Sequence, residues 1–417
     1  MATDSNTTTV DKVFFQPLEG LVSSSSYARP CPEFPDEDFI RLGVQRVLET
    51  SESGRAFLQE HGVRFENTPD YSNYFATLRS QRRCNLISDV SLAVLAAANV
   101  QLHDRLAAIP ELADYECFAL DGHWHKAAVH DKRHEDSKMA VGHFYSLNLS
   151  THTLRHLAAG EGLHEHDMSA LKRVKPKGLR QGVAQGRRVL LVYDKAGIDF
   201  AFWKRCRQEC AVYFLSRVKE SMVFDWIDSR DWDRADPRNR GVTEDRRVMT
   251  REGLLLRIIY YTDPLTGQAF EFLTNEPDLP PGVLVELYRR RWEAEKVFDE
   301  MKNKLGEKKA WASSLVAKQA QAQLITITHN LLLLYEQDLE QRHGIQNEAE
   351  DRRREQRIQT ATKACARAGK PLSTLVSQAR KTTQRSVKFI RWVRQSIRDH
   401  TTETVAVLRL QAFYAAP

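Results

Sequence analysis

One predicted helix, YRRRWEAEKVFDEMKNKL (288–305), carries a line of polar side chains that could do chemistry. At about 100° per residue, four of them share an arc of about 60°: Tyr288, Arg291, Glu295 and Lys302. A carboxylate can ligate a metal, and arginine and lysine can bind phosphate oxygens. The adjacent stripe is apolar and predicts the core-facing side: Leu287, Ala294, Val297, Phe298, Met301 and Leu305. We therefore expect the polar line at the rim where this helix meets solvent, within reach of a ligand.

Two aspartates follow apolar runs of strand type. Asp121 comes directly after ECFAL (116–120), and Asp194 comes directly after RRVLLVY (187–193). In open α/β sheets, groups at the carboxyl ends of strands face the functional crevice. Together with Glu295, these aspartates predict an oxygen-only site, which suits Mg²⁺ or Mn²⁺ better than Zn²⁺. Such sites hold two cations about 3.5–4 Å apart and act on phosphodiester bonds.

Other residues compete for these roles. Asp131 in VHDKRHED is the nearest alternative to Asp121, but no apolar strand precedes it, so we favour Asp121. Nine of the 14 histidines lie between His123 and His166, and a zinc hydrolase could use such residues. No HExxH motif is present, so we favour structural or DNA-facing histidines.

The pattern of apolar residues predicts an α/β protein in several parts. Periodicity alternates between strand and helix in the central region, which indicates a mixed sheet with flanking helices. The predicted divisions are a disordered leader (1–35), a helical domain that could bind DNA (36–112), an α/β catalytic domain (113–340) with a β-rich insertion (about 219–275), and a basic helical C-terminal region (341–417). The helical domain carries its own basic cluster, Arg79, Arg82 and Arg83. In the insertion, Trp226 and Trp232 could stack on a displaced base or pack inside it, and we favour packing.

Charge is unevenly distributed along the chain. The 417 residues carry a formal net charge of +6. Residues 351–400 contain 14 Lys+Arg against 3 Asp+Glu, a net of +11, so the rest has 47 against 52, a net of −5. A basic region on a mildly acidic body indicates a polyanionic partner, most simply nucleic acid, although a solvated helix face is the alternative.

Targeting signals and cysteine motifs are not evident in the sequence. The six cysteines form no CxxC pair, and no apolar segment follows a basic N-terminus. The apolar runs around 92–100 and 331–335 are too short to span a bilayer. We expect a cytoplasmic protein that does not interact with membranes.

The spacing Tyr288-x2-Arg291-x3-Glu295-x6-Lys302 resembles the Y-R-E-K signature of bacterial insertion-sequence DDE transposases. The order of Asp121, Asp194 and Glu295 and the long gap before Glu295 are also similar to that family. The resemblance covers about residues 60–340. The chain departs from the family pattern at His123, where Thr or Ser is common, and at Asp194-Lys195-Ala196-Gly197, where Asp-Arg-Gly is usual.

This resemblance implies an RNase H-like fold with a β-rich insertion. It implies that Asp121, Asp194 and Glu295 are catalytic and hold two Mg²⁺ ions, for which Mn²⁺ can substitute, while Tyr288, Arg291 and Lys302 bind DNA phosphates. The implied function is cleavage of DNA at transposable-element ends and strand transfer into target DNA. The partners would be the terminal inverted repeats, the target DNA and a second copy of the chain, at the bacterial nucleoid. The alternatives are an RNase H-like nuclease or resolvase without strand transfer, and an inactive DNA-binding derivative.

Overall fold

The computed structural model describes most of the chain, in several segments. The described residues are 8–49, 53–63, 68–126, 128, 139–160, 165, 167–264, 266–306, 309–345, 356, 359–360, 362–369 and 387–415. The alternative aspartate, Asp131, and most of the basic region between 346 and 386 lie outside them. Their predicted roles stay predictions.

The N-terminal third of the described chain is helical. Its helices are α1 (Val10–Phe15), α2 (Leu21–Ser24), α3 (Asp36–Leu48), α4 (Gly54–Gly62), α5 (Tyr71–Thr77) and α6 (Gln81–Gln101). Ser80 caps α6, since its side chain accepts a hydrogen bond from the N–H of Arg83.

The centre of the chain alternates strands and helices. In order, these are β1 (Tyr115–Lys126), β2 (Met139–Asn148), β3 (Leu154–Ala159), α7 (Asp167–Leu179), β4 (Arg188–Val192), α8 (Phe200–Cys210), β5 (Val212–Arg217), β6 (Asp225–Ser229), β7 (Val242–Met249), β8 (Leu255–Thr262) and β9 (Ala269–Thr274). Helices close the chain: α9 (Pro281–Arg290), α10 (Trp292–Asn303), α11 (Leu315–His343), α12 (Val387–Arg398) and α13 (Glu403–Ala415).

The nine strands form one mixed sheet in the order β3-β2-β1-β4-β5-β9-β8-β7-β6. Strands β1, β4 and β5 are parallel, and β2 is antiparallel to β1. The predicted hairpin around TDPLTGQ is confirmed as β8 and β9. Strand β9 then pairs antiparallel with β5, so the strands of the predicted insertion continue the central sheet.

Hydrophobic cores cover both faces of the sheet. On one face, Leu120, Leu191 and Phe214 pack with α7 and α8. On the other face, Ala119, Val192 and Leu215 pack with the N-terminal helices and with α9–α13. Successive side chains along a strand point to opposite faces of the sheet. The residues two positions after Ala119, Val192 and Leu215 therefore project toward this same second face.

The expectation of a disordered leader is wrong for residues 8–35. The side chains of Val10, Phe14 and Phe15 are at most 1% exposed, and the ring of Phe14 meets that of Tyr335 on α11 at 5.8 Å. Ser and Thr surround this apolar run in the sequence and conceal it in the average composition. Burial of each of these three large side chains stabilises the ordered segment by about 1.5–3 kcal/mol.

The helices of residues 36–112 share the main core, so they do not form a separate domain. Helix α6 packs along α11, and Gly43 of α3 lies so close to Leu324 that an added Cβ would clash with its side chain. Two members of the predicted basic cluster, Arg82 and Arg83, pair with Asp36 at 2.7 and 3.0 Å. These two arginines therefore stabilise the fold and do not form a free basic surface.

One helix within the described part of the chain, α6, is long and apolar enough to cross a membrane by length and composition. The sequence prediction had found only shorter apolar runs there. In the structure Leu86, Ile87 and Val90 lie in the core against α11. A buried core helix passes the same test, so α6 is weak evidence for a membrane span.

Candidate functional site

Three polar residues form a row at one edge of the parallel strands. The last row of paired positions across β1, β4 and β5 consists of Ala119, Val192 and Leu215. Two positions further along each chain lie Asp121, Asp194 and Arg217. All three project to the face on which α9 and α10 pack. The two aspartates predicted from the apolar runs are therefore neighbours at this edge.

Asp121 differs from the prediction in one respect. It lies inside β1, which continues to Lys126, and does not follow the end of a strand. The reason is that β2 continues to pair with β1 beyond the point where β4 ends, as the Asp121–Tyr145 pair shows. The Asp121 carboxylate still leaves the sheet at the end of the β1–β4 pairing and remains about one-quarter exposed.

The predicted continuous helix is two helices joined at Arg291. The N–H of Arg291 donates to the Tyr288 carbonyl at 3.1 Å, and the N–H of Ala294 donates to the Arg291 carbonyl at 3.1 Å. These contacts span three residues, so the joint is tighter than an α-helix. Gly282 in the first turn of α9 fixes its position, because a Cβ there would lie 2.2 Å from the carbonyl oxygen of Arg238.

Arg291 joins two of the three predicted catalytic acids. Its Nη1 lies 3.5 Å from Asp121 Oδ2, and its Nη2 lies 2.9 Å from Glu295 Oε1. Burial alone would lower the pKa of Arg291, but Tyr288, Asp121 and Glu295 raise it above the ordinary value. The structure thus brings Asp121 and Glu295 together, although they are far apart in sequence.

Tyr288 lies between this pair and Asp194. Burial raises the pKa of Tyr288; the Arg291 cation opposes that shift, and the charge of Asp194 adds to it. Both groups are therefore within electrostatic reach of the Tyr288 hydroxyl. The ring contacts Phe272 of β9 at 4.9 Å, which fixes the side chain against the sheet.

The polar line is not uniformly at the rim, as predicted, but becomes more exposed along its length. Tyr288 and Arg291 are 7% exposed, Glu295 is half-buried, and Lys302 is exposed. Lys302 lies two turns beyond Glu295, about 10.5 Å along the axis. The apolar stripe is confirmed, since every member is buried except Val297, which is partly buried against the core.

We predict opposite effects for two substitutions on α10. The ring of Phe298 stacks on His123 at 5.3 Å and contacts Tyr145 at 5.6 Å, so Phe298→Ala should cost about 3–5 kcal/mol. Lys302→Ala should leave the melting temperature unchanged, because the side chain is exposed and Ala favours helix. Thermal melts of both proteins test this. Early melting of Lys302→Ala with a stable Phe298→Ala would mean that the helix faces the other way.

Two histidine–glutamate contacts hold α10 in place, and the sequence did not indicate them. His152 Nε2 lies 2.5 Å from Glu293 Oε2, and His329 Nδ1 lies 3.5 Å from Glu300 Oε1. His329 Nε2 also lies 3.0 Å from the His152 carbonyl oxygen. These contacts tie α10 to the β2–β3 turn and to α11, and so they position Glu295 between them.

Arg217 is a site residue that the sequence reasoning missed. It ends β5 in the same row as the two aspartates, and its guanidinium lies 5.1 Å from the Phe270 ring centroid. Among the described residues it forms no ion pair, so its charge is available to an anion. The sequence AVYFLSRV contains the same pattern as the segments before Asp121 and Asp194, an apolar run followed by a charged residue. Groups at the carboxyl ends of strands face the functional crevice whether they are acidic or basic.

Four histidines of the described part of the histidine-rich segment form a buried cluster: His123, His125, His143 and His156. His123 and His125 follow Asp121 on the same face of β1, and the rings of His125 and His143 lie 4.2 Å apart. Burial lowers the pKa of His143 well below its ordinary value and that of His156 to about 3, so both are neutral at pH 7. The cluster packs under α10 through the stack of His123 on Phe298.

The three carboxylates are ligands of the type that magnesium prefers, but they are not arranged around a common metal position. Carboxylate oxygens suit Mg²⁺ or Mn²⁺, and the Arg291 guanidinium already occupies a cation position between Asp121 and Glu295. However, across the described residues no group of three or more His, Cys, Asp or Glu side chains is placed to hold a metal ion. A divalent cation would fit these donors only after the side chains rearrange.

Packing of Trp226 inside the insertion, as predicted, is wrong. Its side chain is 63% exposed on β6, the edge strand of the sheet. Trp232 is half-buried, with the Arg234 guanidinium 4.6 Å from its ring centroid. Among the described strands, β6 pairs with β7 alone, so no neighbouring strand lies on its other side.

Comparisons with known proteins find similarity to a protein family over part of the chain. A cryo-EM structure of a piggyBac transposase synaptic complex with hairpin DNA is 12% identical and has a TM-score of 0.42; the alignment covers 98% of this chain and 81% of that chain. No curated protein sequence matches the chain. Residues 147–331 match the family described as transposase DDE domain, a range that includes Asp194 and Glu295 and begins after Asp121. The family match therefore supports a DDE transposase domain over residues 147–331.

Proposed function

We propose that this protein is a transposase of the bacterial insertion-sequence group with the Y-R-E-K signature. It cuts DNA phosphodiester bonds at element ends and joins the freed 3′-hydroxyl to target DNA. The observation that carries the proposal is the contact of Arg291 with both Asp121 and Glu295, inside a fold whose residues 147–331 match a transposase DDE domain. This contact links Asp121, which precedes the matched range, to an acid within it.

The strand order supports an RNase H-like core. The first five strands lie in the order β3-β2-β1-β4-β5, with β2 antiparallel to the parallel set. We take residues 113–340 as the catalytic domain and 219–275 as the insertion that carries β6–β9. Because β9 contacts Tyr288 through Phe272, the insertion helps to position the site.

The side chains divide into two roles in this proposal. Asp121, Asp194 and Glu295 would hold Mg²⁺, which would supply an activated hydroxyl nucleophile and charge stabilisation. Lys302, Arg217 and the basic C-terminal region bind the DNA backbone, with Tyr288 donating from its hydroxyl group. Phosphoryl transfer depends mainly on positioning and charge, so these residue types suffice. Two copies of the chain bring two element ends together, in the bacterial cytoplasm at the nucleoid.

The test is a joining assay. Purified protein is incubated with Mg²⁺, a linear fragment carrying the genomic DNA that flanks the coding region, and a supercoiled target plasmid. We expect cleavage at short inverted repeats and covalent joining of the freed ends to the plasmid. Cleavage without joined product would identify a nuclease or resolvase. DNA binding without cleavage would identify an inactive derivative. Either result overturns the proposal.

A further inference from the structure

The position of the Arg291 side chain is incompatible with the two ligands expected at this site, a DNA phosphate and a divalent cation. A guanidinium that binds DNA phosphate cannot also hold Asp121 and Glu295 in the geometry seen here, with contacts of 3.5 and 2.9 Å. The same two carboxylates are also the proposed ligands of a divalent cation. The side chain is only 8% exposed, so it is an internal part of the site in this conformation.

The hydrogen bonding of the Arg291 side chain is incomplete. Its Nε is buried and has no hydrogen-bond partner among the described residues. A buried donor without an acceptor is destabilising, so a ligand with several acceptor oxygens would satisfy Arg291 better than the two carboxylates do. A phosphate group is such a ligand, and arginine binds it through two parallel hydrogen bonds.

The third acid is already available. Within the described part of the chain no ion pair engages Asp194, whose Oδ1 accepts a hydrogen bond from the N–H of Lys195 at 2.7 Å. The approach of a divalent cation is therefore opposed at two of the three carboxylates by one positive charge. Like charges at such short separations repel strongly in a partly buried setting.

We propose that Arg291 couples DNA binding to metal binding, a proposal that rests on the function proposed above. Without DNA, the guanidinium holds Asp121 and Glu295 in place of a divalent cation. A DNA phosphate would draw the guanidinium away, which would leave Asp121 and Glu295, together with Asp194, free of the Arg291 charge and able to hold a divalent cation. Coupling between two ligands is reciprocal, so metal also strengthens DNA binding.

Mn²⁺ binding to the full chain tests the coupling without measuring catalysis. Electron paramagnetic resonance of free Mn²⁺ gives the affinity with and without a duplex from the flanking DNA. Wild-type protein should bind Mn²⁺ more tightly when the duplex is present, by about 5- to 150-fold. Without DNA, Arg291→Gln should bind Mn²⁺ more tightly than the wild type by a similar factor. Addition of DNA should increase its Mn²⁺ affinity little further. Arg291→Lys, which keeps one charge but not the fork, should fall between them.

Arg290→Gln is the matched control. Arg290 precedes Arg291, its Nε contacts Glu286 Oε1 at 3.1 Å, and it makes no ion pair with Asp121, Asp194 or Glu295 within the described residues. Its Mn²⁺ affinity should equal that of the wild type. Equal affinities of Arg291→Gln, Arg291→Lys and wild-type protein without DNA would overturn the coupling.

A double variant separates this inference from the proposed function. Arg291→Gln combined with Glu295→Gln should lose the tight Mn²⁺ binding. If the double variant keeps it, the metal lies elsewhere and the proposed site is wrong. Suppose instead that, without DNA, Arg291→Gln binds Mn²⁺ as weakly as the wild type, while Glu295→Gln alone abolishes the DNA-dependent binding of Mn²⁺. The proposed metal site is then supported, and the proposed coupling through Arg291 is wrong.

Discussion

Asp194→Ala and Glu295→Ala proteins are expected to lose DNA cleavage by more than about 100-fold while still binding DNA. Loss of groups that merely support metal ligands already costs about 10- to 100-fold, and these carboxylates are proposed as the ligands themselves. Binding should persist because basic contacts distributed over the surface provide most of the affinity for DNA.

Cleavage of an end-labelled flanking fragment in Mg²⁺ and a gel-shift assay measure the two properties on the same proteins. Glu286→Ala is the matched control: this carboxylate lies on α9 and contacts Arg289 and Arg290, and at about 100° per residue it is about 160° around the helix from Tyr288. Its cleavage rate should be unchanged. Wild-type cleavage by either acid variant would show that the active site has been assigned to the wrong residues.

Glu276→Ala should destabilise the protein by about 3–5 kcal/mol, because it leaves buried partners without their acceptor. The Glu276 carboxylate is fully buried and lies 3.5 Å from Arg257, which also pairs with Asp245 at 2.6 Å. It accepts hydrogen bonds from the Tyr115 hydroxyl and from the N–H groups of Asp278 and Leu279, each at 2.8 Å. The network therefore connects β1, β7, β8 and the start of α9.

Urea unfolding measures this loss. Asp228→Ala is the comparison, since Asp228 pairs with Arg247 on β7, where the two side chains are 39% and 43% exposed. An exposed pair contributes little to stability, so this variant should unfold near the wild-type midpoint. Equal unfolding midpoints for Glu276→Ala and Asp228→Ala would mean that the buried network is not a significant source of stability.

Much of the sheet could be predicted from the sequence because buried strands are short apolar runs. The runs before Asp121 and Asp194 became β1 and β4, and the row of acids follows from their parallel pairing. The joint at Arg291 could not be predicted in this way. The sequence around it contains neither Gly nor Pro, and periodicity alone extended one helix through it.

Tertiary partners explain the other differences between sequence and structure. An apolar face predicts that a helix packs but does not identify what it packs against, so residues 36–112 looked separate although α6 lies along α11. Likewise, four apolar residues lie within the basic C-terminal region, where the sequence does not show what they pack against: Phe389, Ile390, Trp392 and Val393. They are buried, with Trp392 stacked on Tyr335 at 5.9 Å. The arrangement of Arg291 between two acids depends on contacts that no local pattern contains.

The antiparallel pairing of β9 with β5 has a consequence for attempts to reduce this protein to a minimal catalytic unit. Deleting residues 219–275 would remove β6–β9 and leave the outer side of β5 as an unpaired edge in the middle of the former sheet. Exposed edges of this kind recruit strands from other molecules and promote aggregation. Solubility of a shortened protein would therefore depend on a replacement strand or on charged residues along β5, whatever the fate of its active site.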